Sequence, residues 1–225
     1  DPNFALNGLV GYVLFPVMLL LPFFGANLEG NPFELLDLGA LDPFLVIGGI
    51  AIFFMLMIAM SMIPSTTFSR EGRYLWIVRS LPISIEQIIG TRVVAGQLVN
   101  TIGCLLGLLP VAYLFGWGFW EVAFGALFGI LLSSAVAYLL VLLDLSRPML
   151  DWVNPVKAVK SNLNAIIGLL AATVVGFLLG LGFYLNSQSD TLWLIPLELL
   201  LAALLLGGAG WYIGRQTAER LWSKI

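Results

Sequence analysis

The sequence contains no histidine, one cysteine and very little charge. Only 10% of its 225 residues are charged, against about a quarter in an average soluble domain. Histidine is the side chain most used for acid–base work near neutral pH and as a metal ligand, so hydrolases of the Ser-His or Glu-His kind are disfavoured. The single cysteine, Cys104, excludes a disulfide framework and lies in an apolar run, which favours a small buried side chain. We therefore expect no catalytic residue and no metal site.

Long apolar runs account for most of what is present. Hydrophobic residues make up 60% of the chain, and six runs are each long enough for a helix that crosses a hydrocarbon core, which takes roughly 20 residues. Lipid offers the backbone no hydrogen bonds, so each run is predicted to be helical, and none shows the alternation of a transmembrane barrel. The predicted spans are 7–24, 43–63, 85–113, 122–143, 163–185 and 192–213. The sequence predicts an all-α integral membrane protein with one six-span domain over residues 1–225.

The basic residues predict the orientation of this bundle. All ten lie within 70–92, 147–160 and 215–224, whereas the alternate connections carry acidic residues and no basic one. Basic residues are retained on the cytoplasmic side of a membrane. Both termini and the two larger connections are therefore predicted to be cytoplasmic. The tail, 214–225, combines basic and apolar residues and is predicted to form a separate short amphipathic helix on the membrane surface.

Local signals predict several helix ends and helix contacts. Ser84 followed by Gln87 has the pattern of a capping box, which predicts that the third span begins near Ile85. Asn154 before Pro155 predicts another helix start ahead of the fifth span. Glycines four residues apart permit close helix packing, and such pairs occur at Gly103 and Gly107, Gly125 and Gly129, and Gly176 and Gly180.

A few polar residues lie inside the predicted spans. Glu198 is the one ionisable residue well within an apolar run, where an acidic side chain costs about 2.5–3.5 kcal/mol on insertion scales. Such residues often mark a substrate path, and Glu198, Asn100 and Gln97 are candidates for a translocation path. Hydrogen bonds between helices are the alternative explanation for the two amides.

The segment 69–84 is the most distinctive polar stretch. It carries Arg70, Arg73 and Arg79 interleaved with Tyr74 and Trp76, between two uncharged apolar runs. Basic and aromatic residues beside a span can simply anchor it to anionic head groups. This segment is longer than an anchor needs, and its turn signals predict a separate helix over about 70–79. Docking of a partner protein is therefore the favoured interpretation.

The same segment resembles a stretch in membrane subunits of bacterial ABC transporters of the type-2 exporter class. That stretch has the form Ser-x-Glu-Gly-x-x-x-Trp-x-x-x-Ser-Leu-Pro-Ile-Ser between the second and third spans. The matching positions here are Ser69, Glu71, Gly72, Trp76, Ser80, Leu81, Pro82, Ile83 and Ser84. The polar stretch 144–164 is similar to the second cytoplasmic loop of such permeases, and its candidate residues are Arg147, Asp151, Trp152, Asn154, Lys157 and Lys160.

The resemblance implies the permease of an ATP-driven exporter in the inner membrane of a bacterium. The first cytoplasmic loop would then be a coupling helix, docking on a separate nucleotide-binding subunit through Arg70, Glu71, Gly72, Arg73, Tyr74, Trp76 and Arg79. ATP would be bound and hydrolysed by that ATPase, with no cofactor on this chain. The other expected partners are membrane lipids and a second six-span half or a second copy, and no nucleic acid is expected.

Two further expectations concern the length of the chain and its substrate. Relatives of this kind often have two six-span halves, and Asp1 would then open the second half of a longer chain. The short turn 186–190 leaves little room for re-entrant helices, which speaks against a lipid-linked or polymeric substrate. The alternatives are a non-transporting membrane anchor or sensor subunit that recruits a cytosolic protein, and an ATP-independent carrier.

Overall fold

Five long helices form where the sequence has long apolar runs. The computed structural model describes Gly11, Tyr12, Leu14, 40–154 and 156–225, and every regular element in these ranges is helical. The α-helices are α1 (Pro43–Met60), α2 (Leu75–Arg79), α3 (Ile85–Phe115), α4 (Phe119–Ser146), α5 (Lys157–Lys160), α6 (Leu163–Gln188) and α7 (Ile195–Trp222). Helices α1, α3, α4, α6 and α7 are long and apolar enough to cross a membrane, so the chain is a multi-pass membrane protein. The first predicted span, 7–24, lies outside the described residues except at three positions.

Side-chain caps fix the starts of three of the long helices, α1, α3 and α6. The Asp42 carboxylate accepts the Phe44 amide at 2.8 Å, directly before Pro43 opens α1. At α3 the predicted capping box is confirmed, because Ser84 and Gln87 each accept the other's backbone N–H through their side chains. The long helix α6 is capped by Asn162 and begins at Leu163, the first residue of the fifth predicted span. Only the four-residue helix α5 follows Asn154 directly.

Helices α1 and α4 form the centre of the described bundle. Of the most apolar stretch of each helix, 61% is buried in α1 and 56% in α4, but only 22% in α6 and 17% in α7. Of the predicted glycine contacts, that at Gly125 and Gly129 is confirmed, whereas nothing lies within 4 Å of a Cβ atom at Gly180. A Cβ atom at Gly125 would lie 2.7 Å from Ile50 of α1, and one at Gly129 would lie 2.8 Å from Phe54. Helices α3, α6 and α7 surround this pair and present apolar side chains outward, as expected of surfaces against lipid.

The end of the chain differs from its prediction. Helix α7 continues to Trp222, so the prediction of a separate surface helix over 214–225 is wrong. Small residues one turn apart explain the continuation: a Cβ atom on Gly214 would lie 2.6 Å from the Tyr138 hydroxyl of α4, and Ala218 is buried. Because these positions keep α7 close to α4, its last turns stay packed on the bundle and need no break.

The three segments that hold all the basic residues meet at one end of the bundle. The Phe68 ring lies 5.9 Å from the ring of Trp222 at the end of α7. The Trp152 indole in the second loop donates a 2.7 Å hydrogen bond to the Ser69 carbonyl in the first. The two loops and the tail therefore form a single layer at this end.

Close packing of α4 on α1 predicts unequal effects of two glycine substitutions. Gly129→Ala places a methyl group against the fully buried Phe54 and is expected to destabilise the protein by about 1–3 kcal/mol. Gly180→Ala is the matched control, since nothing lies within 4 Å of its Cβ position. Thermal unfolding in detergent measures both. Equal midpoints for the two variants would contradict the packing described here.

Candidate functional site

The first loop divides into an inner segment, residues 64–72, and an outer part, residues 73–84. In the inner segment Ser65, Thr66, Phe68 and Ser69 have no exposed surface. In the outer part nearly every side chain is at least partly exposed, with Leu75 as the buried exception. The inner segment is thus packed inside the protein, and the outer part is exposed on its surface.

A buried carboxylate, Asp144 in the last turn of α4, holds the inner segment. Its Oδ2 atom accepts the Phe68 amide at 2.6 Å and the Ser69 amide at 3.0 Å. Its Oδ1 atom accepts the Ser69 hydroxyl and, at 3.0 Å, the Asn164 side-chain amide at the start of α6. All four partners are donors, which suits an ionised carboxylate because it offers only acceptor sites.

Ser69 and Asn164 extend this network to the second loop. The Met149 amide donates to the Ser69 hydroxyl at 2.9 Å, and the Trp152 indole donates to the Ser69 carbonyl. Asn164 donates a second hydrogen bond, at 3.0 Å, to the Arg147 carbonyl. Ser69 and Asn164 therefore connect both the first and the second loop to the carboxylate of Asp144.

Gly72 occupies a position that requires glycine for two reasons. Its φ angle is +51°, in the left-handed region that L-residues with a side chain adopt at a cost. Its missing Cβ would also lie 2.8 Å from the Trp152 ring. Trp152 therefore packs on the bare backbone of Gly72 while its indole N–H bonds to Ser69.

Two arginines, Arg92 of α3 and Arg70 of the loop itself, hold the inner segment in place. Arg92 of α3 forms a 2.6 Å ion pair with Glu71, donates to the Thr67 carbonyl at 2.8 Å, and lies 4.2 Å from the Phe68 ring centroid. Arg70 turns inward, and its guanidinium donates to the Ile63 carbonyl at 2.9 Å. Burial lowers the pKa of Arg70, while the nearby Asp144 carboxylate opposes that shift. Of the predicted docking residues, Arg70, Glu71 and Gly72 thus make contacts within the chain.

The outer part carries an exposed apolar surface, which we call the docking face. Its residues are Tyr74, Trp76, Ile77, Leu81 and Ile83, with Trp76 the most exposed at 65%. The helix predicted over 70–79 is shorter than expected: a 3-10 turn at Gly72–Tyr74 leads into α2, Leu75–Arg79. The positive φ of Gly72 prevents a regular helix from extending further back.

Basic residues flank the docking face. Arg73 is exposed and donates to the Tyr74 hydroxyl at 3.2 Å. Arg79, at the end of α2, lies 5.7 Å from the Trp222 ring centroid. The face is therefore apolar at its centre and positively charged at its edge.

The second loop adds a polar hollow beside this layer. A cavity of about 590 Å³ is lined by Asp151, Trp152, Val153, Asn154, Val156, Lys157 and Ser161. Asp151, Asn154 and Lys157 are exposed, as is Arg147, whereas Trp152 is directed towards Gly72. The Lys160 side chain lies outside the described part. Asn154 accepts the Val156 amide at 2.9 Å and so stabilises a turn in this loop.

The three candidates for a translocation path make separate contacts. Glu198 lies in the first turn of α7 and accepts the Asn186 amide from the end of α6 at 2.8 Å. Asn100 is fully buried and donates to the Phe54 carbonyl of α1 at 3.2 Å. Gln97 donates to the Ser133 hydroxyl of α4 at 2.8 Å. Each residue thus joins two helices, and their role in a path stays a prediction.

Comparison of the chain with protein-family models, with curated proteins and with solved structures gives no match. The function is therefore inferred from the sequence and from the geometry above.

Sequence reasoning missed Asp144, the residue that joins most of these elements. One signal was present: an aspartate in the last turn of a helix lies at the negative end of the helix dipole. Such a carboxylate needs donors from elsewhere in the chain. The donors Ser69 and Asn164 are 75 and 20 positions away, so no local pattern identifies them.

The contact between Gly72 and Trp152 predicts a stability effect. Gly72→Ala combines an unfavourable φ with a clash against the indole, and we expect a loss of about 1–3 kcal/mol. Gly90→Ala is the control, because its Cβ meets nothing within 4 Å. Unfolding followed by tryptophan fluorescence reports both. A Gly72→Ala variant as stable as the control would show that Trp152 does not pack against residue 72 as described.

Proposed function

We propose that this chain is the membrane-spanning permease subunit of an ATP-driven ABC exporter. In this proposal α2 is the coupling helix, and a separate ATPase binds the docking face and supplies ATP hydrolysis. The observation that carries the proposal is that the first loop has a buried inner segment and an exposed outer part. An exposed aromatic surface with a basic edge stands on a base that is buried and hydrogen-bonded. The resemblance of residues 69–84 to exporter permeases supplies the class of partner.

The composition of the docking face suits a protein partner. Exposed tryptophan, tyrosine and arginine are the residues that most often dominate binding energy at protein interfaces. Trp76 and Tyr74 are 65% and 53% exposed, so most of their surface is free to be buried by a partner. Because the inner segment is already ordered, docking does not require the loop to be fixed first, and less conformational entropy is lost on binding.

The finer topology is part of the same proposal. The bundle has six spans in the inner membrane of a bacterium, with both termini and the basic layer in the cytoplasm. Support comes from the three basic segments, which meet at one end through Phe68, Trp152 and Trp222. An ATPase can reach α2 only on that side. A second six-span half or a second copy completes the transporter, and lipids surround it.

The interior of the described bundle bears on where a substrate would pass. A cavity of about 170 Å³ near α1 and α3 is lined by Gly49, Ile50, Phe53, Gly107, Leu108, Val111 and Trp117, none of them charged. This lining favours a path at the contact with the second half, or an apolar substrate. It also keeps one alternative open, a non-transporting anchor that recruits the ATPase through the same face.

Substitution of Trp76 tests the docking face. Trp76→Ala removes an aromatic anchor, and loss of about 2–4 kcal/mol of binding energy would weaken ATPase binding by roughly 30-fold or more. Co-purification from native membranes with a tag after Ile225 measures the bound ATPase. Trp193→Ala is the matched control, since Trp193 is 63% exposed and lies at the opposite end of the bundle.

The outcomes separate the candidate functions. Recovery of an ABC ATPase with the native chain and with Trp193→Ala, but not with Trp76→Ala, supports the proposal. Arg73→Glu, which reverses charge at the edge of the face, should weaken recovery in the same way. Equal recovery of the ATPase with all variants would show that the ATPase does not bind through the docking face. Absence of an ATPase from the native preparation would favour an ATP-independent carrier.

A further inference from the structure

The inner segment is fastened to three membrane-spanning helices. Asp144 bonds it to α4 through the amides of Phe68 and Ser69. The same carboxylate accepts Asn164 of α6, and Arg92 of α3 holds Glu71 and Thr67. Hydrogen bonds to charged groups are about twice as strong as neutral ones. A displacement of the docking face would therefore act on the ends of these helices through short, fixed contacts.

We propose that Asp144 is a positioning residue that makes the inner segment and the adjoining ends of α4 and α6 move as one unit. Motion imposed on the docking face by an ATPase would then reach both helices. This inference rests on the proposed function and adds to it the residue through which the motion passes. Asp144 is buried, and it acts through Ser69 and Asn164.

The hydrogen-bond geometry predicts which connection fails in an isosteric variant. In Asp144→Asn the remaining carbonyl oxygen can still accept the two backbone amides, because both bond to one oxygen, Oδ2. The new amide nitrogen then replaces Oδ1 and faces the Asn164 amide, so two donors meet. Asn164 cannot turn around without losing its bond to the Arg147 carbonyl. The variant therefore keeps the two backbone bonds and loses the direct bond between residue 144 of α4 and Asn164 of α6, while Asn164 keeps its bond to the Arg147 carbonyl.

A reciprocal exchange should restore that link. Asn164→Asp alone sets two carboxylates against each other across the 3.0 Å contact and is also expected to break it. In the double variant Asp144→Asn/Asn164→Asp, the amide at 144 can donate to the carboxylate at 164, although that carboxylate cannot donate to the Arg147 carbonyl as Asn164 does. Rescue by this exchange is not expected if Asp144 serves only the folding of α4, because the double variant removes its charge as the single variant does.

Distance measurement between spin labels tests the inference on the purified complex with its ATPase. Labels are placed at Ser80→Cys in the outer part of the first loop and at Leu163→Cys at the start of α6, both exposed positions. The native cysteine is removed by Cys104→Ala. The reference chain should give one narrow distance that is unchanged by trapping with ATP and vanadate. In Asp144→Asn we expect a distribution about twofold broader that shifts on trapping. The double variant regains the bond between positions 144 and 164 but not the bond to the Arg147 carbonyl, so its distribution should lie between those of the reference and of Asp144→Asn.

The controls keep the result interpretable. Asp190→Asn, the same chemical change in the turn between α6 and α7 at the opposite end, should match the reference. If Asp144→Asn fails to insert, Asn164→Ala, which removes one partner of the same bond, is expected to broaden the distribution in its place. An Asp144→Asn distribution as narrow as the reference, or a double variant as broad as the single ones, would overturn the inference. Absence of the ATPase from the complex of the native, unlabelled chain would instead overturn the proposed function, and this inference with it.

Discussion

A buried carboxylate at the end of a membrane-spanning helix is the constraint on which this architecture depends. Asp144 has no exposed surface and lies where the helix dipole is unfavourable for negative charge. Removing a carboxylate from water costs several kcal/mol unless donors replace the water. Phe68, Ser69 and Asn164 supply them, and all lie outside α4. The requirement to satisfy one side chain therefore fixes the first loop and the start of α6 together.

The docking face takes its character from this arrangement. A loop bearing Tyr74, Trp76 and Ile77 exposed to water would ordinarily collapse onto the apolar bundle beside it. Here the inner segment is held by hydrogen bonds to Asp144 and Arg92, and Leu75 of α2 is buried. The aromatic residues on the other side of α2 consequently remain outside. The contacts that stabilise the inner segment therefore also keep the side chains of the outer part exposed.

The features predicted correctly from the sequence depend on residues close together in the chain. Apolar length predicted the five described spans, the pair Ser84 and Gln87 predicted the start of α3, and glycine spacing predicted close packing at Gly125 and Gly129 without naming the partner helix. The predicted helix over 70–79 was too long because the φ of Gly72 is favoured by Trp152, 80 positions away. The inward role of Glu71 likewise depends on its ion pair with Arg92, 21 positions away. The prediction of a surface helix over 214–225 was wrong because α7 packs closely against Tyr138 of α4 at Gly214.

Hydrogen exchange at the backbone amides of Phe68 and Ser69 tests the central claim most directly. Both amides donate to Asp144 inside the protein, so they should exchange as slowly as amides within α4. Such protection is unusual in a loop, where opening free energies are commonly near zero. The exposed amide of Val153 in the second loop provides the fast reference. Exchange at Phe68 and Ser69 as fast as at Val153 would contradict the account, because the first loop would then have no fixed base.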